Sequence, residues 1–358
     1  MSILSDIRVV DLTRLISGPF ATRLLADFGA DVIRIQSQKT AKGMEDPESP
    51  FYQCLNRNKR GVTLNLDAAE GRELLLRIAE KSDLLVENFS PRVMENFGLT
   101  YEVLRSRNER LVVVSISSFG RDGPWRDYVG FSHTFHALSG LTHLVSLRLE
   151  EPLQIGFAYA DMVIGLFAAL ACLAALSARK RTGVGLLVDL SGYEAMVSLL
   201  GDFIVSPGSE EGRFPARYCV ACRDGRFCAL SLGDEGDLYS LLSEMEDGSA
   251  GLKDIDHGLI AFAGTVSAEE MEERLRRRGI EARRVRHAKE ILEDGELKES
   301  GFLAEREGRP MLLPLRGLGA VAQGKAPRLG EHNIDVFIEL LGMTEEEYDR
   351  CVREGVIF

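Results

Sequence analysis

One carboxylate stands at the threshold of the most apolar stretch of this 358-residue chain: Asp161, within IGFAYADMVIGLFAALACLAAL at 155–176. Two chemistries are open to it. It can cap the helix that the apolar run predicts, accepting hydrogen bonds from free N–H groups. It can instead act as a nucleophile at the mouth of a pocket, where a helix start stabilises negative charge. Position by itself favours the cap. The other chemistry-bearing patterns say less. Cys219 and Cys222 form a C-x-x-C, but no second pair or neighbouring His completes a zinc site, so no metal is expected and both read as small buried hydrophobes. The first predicted strand is followed by TRLISGPFA, which lacks G-x-G-x-x-G, and the second ends in Gln36 where an acidic ribose ligand would stand. A nicotinamide dinucleotide site is therefore disfavoured.

The elements that must position such residues alternate. IRVVDL (7–12), DVIRI (31–35), DLLVEN (83–88) and LVVVSIS (111–117) read as strands, with helices predicted after the first strand and over 68–82 and 91–107. Continuous apolar strands alternating with helices predict a parallel sheet covered on both faces, with ligands at the carboxyl ends of its strands. Residues 37–54 are polar, carry Pro47 and Pro50, and read as a long loop. SPGSEEGRFPAR at 206–217 reads as a linker. The expected division is a first part of a large domain over 1–205, a small α/β domain over 218–310, and a return to the large domain over 311–358. The small domain has a strand at 226–232 and helices near 236–245 and 268–279. In the tail, Thr344-x-x-Glu347 predicts a capping box.

Composition narrows the function classes. With 45% hydrophobic and 27% charged residues the chain reads as a soluble globular protein. A net charge of −12 argues against nucleic acid, and the basic RLRRRGIEARRVRHAK at 274–289 follows an acidic AEEMEE, the pattern of a solvated helix face. The apolar run from Met162 to Leu176 is shorter than the ~20 residues a bilayer needs, so a buried helix is expected and no membrane partner. Arg8 and Asp11 interrupt the N-terminus before any leader-like run, and six irregularly spaced cysteines suit reduced thiols. A cytoplasmic location is the expectation.

Six stretches in order then carry a resemblance: RVVDLTRLISGPFATRLLADFGADVIRIQ, NRNKRGVTLNLDAAEGRELL, SDLLVENFSPRVMENFGL, SISSFGRDGPW, YADMVIGLFAALACLAALSARKRTGVGLLVDLS and APRLGEHN. Together they resemble the family III CoA-transferases, the group that contains formyl-CoA and carnitine CoA-transferases and α-methylacyl-CoA racemase. The resemblance implies an α/β fold with a Rossmann-like large domain built from both chain ends, a smaller α/β domain, and an interlocked homodimer or a heteromeric paralogue. It implies that coenzyme A and acyl-CoA are substrates, a carboxylic acid the acceptor, and no cofactor tightly bound. Asp161 matches the nucleophile of the transferases. Leu15, Ile16 and Ser17 match a loop that approaches CoA, and Leu64, Asn88, Phe89 and Phe97 match further CoA-facing positions.

The match has departures. Ser37, Asp67 and Asn96 occupy positions where the family uses basic residues for the nucleotide phosphates. Arg92, Lys59 and Arg60 are candidates to replace that charge, or are ordinary surface cations. The small domain lacks a glycine-rich lid, which disfavours formyl-CoA transfer. A racemase would need a His where Gly130-Phe131-Ser132 has Phe131; His133 and His136 are expected to point elsewhere, and Glu235 only approximately matches a third racemase carboxylate. The leading reading is CoA transfer through Asp161. The alternatives are an acyl-CoA racemase or epimerase and a non-catalytic CoA-binding paralogue.

Overall fold

Val9 and Val10 are adjacent in strand β1 (Arg8–Asp11) and both fully buried, yet they belong to different cores. Successive side chains of a strand face opposite sides of the sheet, so a strand buried on both faces needs apolar residues at every position. The same pairing of adjacent residues recurs at Val32 and Ile33 of β2 (Asp31–Gln36), Leu84 and Leu85 of β4 (Leu84–Glu87), and Val112 and Val113 of β5 (Val112–Ser117). With β3 (Arg60–Thr63) and β6 (Leu187–Ser191) they form a six-stranded sheet of order β3-β2-β1-β4-β5-β6, parallel throughout.

The computed structural model describes residues 2–146, 153, 155–205, 216–245, 255–306, 309–312 and 324–358. It divides into two compact units, Met1–Gly201 with Leu315–Phe358, and Asp202–Pro314. In the first, one face of the sheet is covered by helices α3 (Ala69–Glu80) and α5 (Tyr101–Arg107) and by the C-terminal segment, whose Val336, Phe337, Cys351 and Ile357 enter that core. The other face is covered by α1 (Ser17–Asp27), α6 (Ser132–Leu138), α7 (Leu141–Ser146), α8 (Tyr159–Thr182) and α9 (Gly192–Ser198). The C-terminus is tied to the edge strand: the Thr63 hydroxyl donates to the Phe358 carbonyl at 2.7 Å, and the Asn333 carboxamide accepts the Thr63 N–H at 2.9 Å.

Several sequence expectations are corrected. The second half of 37–54 is not loop: α2 (Pro50–Asn56) begins there, with Pro50 in its first turn and the Ser49 hydroxyl accepting the Phe51 N–H, since the N–H a proline lacks is one a helix start leaves unpaired anyway. The helix expected over 91–107 is two, α4 (Pro91–Asn96) and α5, separated by Gly98 at φ 67°. The 206–217 segment lies outside the described residues as far as 215, and its last two residues already belong to β7 (Ala216–Ala221).

Helix α8 runs 24 residues, so its length does not exclude a span as the apolar run had suggested; by length and apolarity it could cross a membrane, and half of its central window is buried. The buried helix expected from sequence is thus buried on one side only. Ala160, Ile164, Ala168 and Cys172 face the core, while Leu166, Leu170 and Leu173 form an exposed stripe. Small residues set the contact with α1: a Cβ on Gly165 would lie 2.7 Å from the Ser17 carbonyl oxygen.

The second unit has a three-stranded antiparallel sheet, β7, β8 (Phe227–Leu232) and β9 (Glu281–Arg284), backed by helices Glu235–Glu244, Ile255–Ala263 and Ala268–Arg277. The basic cluster there is paired with acids: Glu244 accepts from both Arg274 and Arg278 at 2.6 and 2.8 Å. Cys222 is buried as expected, but Cys219 is exposed, because alternate positions of β7 face away from the core.

Candidate active site

The strand order reverses direction between β1 and β4, and in open parallel sheets ligands settle where the two flanking loops diverge. Here those loops are Leu12–Ser17 after β1 and Asn88–Ser90 after β4. A cleft of about 150 Å³ opens between them, with Ser117 and Ser118 at the end of β5, Val129–Phe131, and Asp161 on its wall.

The first of these loops is held almost wholly by side chains. Asp11 Oδ1 accepts the Thr13 N–H at 2.9 Å, and Arg34 Nη1 donates to the Thr13 carbonyl at 3.0 Å. Across the crevice, Asn88 accepts the Arg14 N–H at 2.7 Å and donates to the Arg14 carbonyl at 2.9 Å. Glu45 accepts the Leu15 N–H at 2.6 Å. The anchors are themselves a buried ionic cluster: Lys59 donates to Asp11 at 2.9 Å, to Asn56 at 2.8 Å and to the Pro19 carbonyl at 3.0 Å, and Arg34 pairs with Glu45. Burial alone would raise the Asp11 carboxyl, but Lys59 and Arg34 beside it hold it below its usual range. Burial pulls the Lys59 ammonium down to about 8 despite Asp11.

Asp161 is in the first turn of α8, and the structure decides against its serving as the cap. The N–H of Ala160 is received instead by Ser132 Oγ and His136 Nε2, both at 3.2 Å. The carboxylate is thereby left to the cleft, with the Ser132 hydroxyl as its hydrogen-bond partner. Burial raises its pKa to about 6, against the lowering effects of Ser132 and of His133 nearby. His133 and His136 were expected to point elsewhere; both lie at this helix start, because α6 begins at Ser132 and packs against α8. Burial, with His133 next to it, lowers the His136 pKa, which suits a neutral ring accepting through Nε2.

Ser117 was not singled out by sequence reasoning. It is 6% exposed and its hydroxyl has no hydrogen-bond partner among the described residues. The serines around it are engaged, Ser118 accepting the Gly130 N–H at 2.9 Å and Ser115 accepting from Arg121 at 3.2 Å. A buried hydroxyl without a partner costs about 1–3 kcal/mol, so its place on the cleft lining is a reason for it to meet a ligand. The sequence signal was a run of serines closing an apolar strand, SISS.

Of the sequence-selected positions, Leu15, Ser17, Asn88 and Phe89 line the cleft with Asp161. Ile16 is buried behind them. Leu64 is 1% exposed and part of the core under α3, and Phe97 packs against that same core. Arg92 is exposed and pairs with Asp127 at 2.6 Å. Lys59 is not a surface cation but wholly buried, and Arg60 pairs with Asp31 at 2.6 Å. Ser37 and Asn96 lie outside the cleft lining, and Asp67 pairs with Lys39 at 2.7 Å. Glu235 opens a helix of the second unit.

Helices α1 and α8 both start at this cleft, so the positive ends of their dipoles favour negative charge there. A partly buried carboxylate, a buried hydroxyl without a partner among the described residues and two helix starts thus meet at the strand-order switch. Among known proteins, residues 4–333 match the family described as CoA-transferase family III. The chain belongs to the family III CoA-transferases. A family member from Chloroflexus aurantiacus, the alpha subunit of succinyl-CoA–L-malate CoA-transferase, is 30% identical over 398 residues covering 99% of this chain and 92% of that one. An acyl-CoA transferase of Fusarium pseudograminearum (strain CS3096) is 38% identical over 214 residues, 55% of this chain and 46% of its own length. Among solved structures, a CAIB/BAIF family protein from Brucella suis aligns with a TM-score of 0.82 and 25% identity, covering 95% of this chain and 99% of that one. CoA-transferases use CoA thioesters as substrates.

Proposed function

We propose that the protein moves CoA from an acyl-CoA to a free carboxylic acid by way of an aspartyl-CoA thioester on Asp161. The observation that carries this reading is the Asp161 carboxylate, released from capping duty by Ser132 and His136 and facing the switch-point cleft. A carboxylate oxygen of Asp161 attacks the thioester carbonyl of the donor, and the C–S bond breaks to release CoA thiolate. The resulting mixed anhydride is attacked by the thiolate at the Asp161 carbonyl, which expels the donor acid and leaves CoA on the enzyme. The acceptor carboxylate then attacks that thioester, and the thiolate returns to the acceptor carbonyl of the new anhydride. Acceptor-CoA leaves and Asp161 is regenerated with no net change in protons. Splitting the transfer into acyl exchanges keeps the thioester's energy from water. Each tetrahedral intermediate carries an oxyanion, and the Ser117 hydroxyl and the N–H groups at the start of α1 are the donors available to it.

The test is direct. On incubation with succinyl-CoA, a peptide containing Asp161 should gain the mass of CoA, and Asp161→Ala should lose both adduct and turnover. Full activity in Asp161→Ala with no modification of the wild type would sink the reading. The stripe of Leu166, Leu170 and Leu173 on α8 supports assembly with a second copy; light scattering should return twice the mass of the chain, and a monomer at working concentration would count against it. The six cysteines are unpaired, which supports work in a reducing compartment such as the cytoplasm.

A further inference from the structure

Among the described residues, two other than glycine hold left-handed backbone: Asn58 at φ 65° and Leu15 at φ 63°. Asparagine tolerates that region, whereas for a branched aliphatic side chain it is costly and persists only where the surroundings impose it. Leu15 is not itself packed into place, being 43% exposed at the edge of the Asp161 cleft. Its N–H donates to Glu45 at 2.6 Å, and Arg14 before it is held by Asn88 through both its N–H and its carbonyl. Glu45 comes from a single helical turn, Gly43–Glu45, thirty residues along the chain, and is 6% exposed. Its second oxygen is taken by Arg34, which also binds the Thr13 carbonyl two residues before Leu15. The carboxylate thus has no freedom to follow Leu15 if the loop relaxes.

We propose that Glu45 is a positioning residue for the acyl-CoA: by accepting the Leu15 N–H it holds the strained backbone that shapes the cleft beside Asp161. The proposal rests on the reading of this cleft as the CoA site. It assigns Glu45 no contact with the reacting atoms. With Glu45 removed, Leu15 falls back to ordinary backbone and the loop no longer presents Leu15 and Ser17 to the ligand. Glycine at position 15 needs no such support, because without a Cβ it adopts left-handed backbone freely.

That difference supplies a readout which a merely stabilising role would not move. Coenzyme A is titrated calorimetrically into wild type, Glu45→Gln, Glu45→Ala and the double variant Glu45→Ala/Leu15→Gly. Glu45→Gln keeps one acceptor oxygen for two donors and should bind between wild type and Glu45→Ala. Glu45→Ala should bind about tenfold more weakly, the factor matching the penalty of left-handed backbone for an L-residue, and the double variant should recover most of the loss. Unchanged affinity in Glu45→Ala, or no recovery on adding Leu15→Gly, overturns the proposal. Should Glu45→Ala not fold, amide exchange in the wild type decides: a Leu15 N–H protected about a hundredfold or more supports the contact, and free exchange overturns it. A wild type that neither binds coenzyme A nor forms the Asp161 adduct overturns the function reading as well, whereas the other failures leave that reading standing.

Discussion

Replacing Asp161 by Asn should make the protein more stable while abolishing its chemistry, and the gain should appear only as pH rises. Burial raises the folded carboxyl from 3.8 to about 6, while the unfolded chain titrates at the ordinary value. Between those values the unfolded state has released a proton that the folded state retains, so stability falls with rising pH across that window. Above it both states are ionised and the folded state carries the full penalty. Two pK units and a little more, at about 1.4 kcal/mol each, put that penalty near 3 kcal/mol at pH 8, against about 0.5 kcal/mol at pH 4. Some of Asp161 remains solvent-accessible, so these are upper values. An asparagine never ionises and escapes the penalty. Urea unfolding of wild type and Asp161→Asn at the two pH values isolates the effect, because packing and hydrogen-bond differences between the side chains are common to both. An advantage for Asn that fails to grow from pH 4 to pH 8, or reverses, would refute the claim that burial burdens this carboxylate. The same shift predicts that kcat/KM of the wild type climbs through about pH 6 as the nucleophile ionises.

Three further outcomes follow from the geometry. Ser117→Ala should lower kcat about a hundredfold yet leave stability equal or raised, since a buried partnerless hydroxyl is lost; unaffected turnover would remove Ser117 from the site. Lys59→Met should cost about 3–5 kcal/mol by leaving Asp11 undercompensated, and adding Asp11→Asn should restore over half of that in chemical denaturation. Gly165→Ala should cost about 1–3 kcal/mol, because its Cβ would meet the Ser17 carbonyl oxygen at 2.7 Å; a thermally neutral variant would mean that α1 and α8 are less tightly joined than they stand.

The fold was legible where one physical requirement dominated. Strands β1, β2, β4 and β5 announce themselves because burial on both faces demands uninterrupted apolar residues. Strand β3, RGVT, escaped because Arg60 and its neighbour Lys59 look like surface cations, and nothing local shows that Lys59 meets Asp11 from 48 positions away. Helix α2 escaped because Pro50 reads as a breaker unless its place in the first turn is known. At the site, Asp161 stood out by contrast with its surroundings, and the flanking loops by resemblance. Ser132, His136 and Ser117 did not, since their roles depend on which N–H groups are satisfied and which hydroxyl is left over. Leu64, which follows β3, and Phe97, which ends the short helix α4, pack in or against the core under α3 and lie outside the cleft lining, and nothing in the motif around either shows that burial.

The close approach at Gly165 makes the helix contact behind the cleft and the cleft wall unequal under mutation. Behind the cleft, a single added carbon at Gly165 collides with the backbone of α1 at the Ser17 carbonyl oxygen. On the wall, Val129 and Phe131 are 63% and 61% exposed and stand in a segment outside any helix or strand. Substitution is therefore dear at the contact between α1 and α8 and cheap along 129–131, so one side of the cleft can vary in sequence while the helix that carries Asp161 keeps its place.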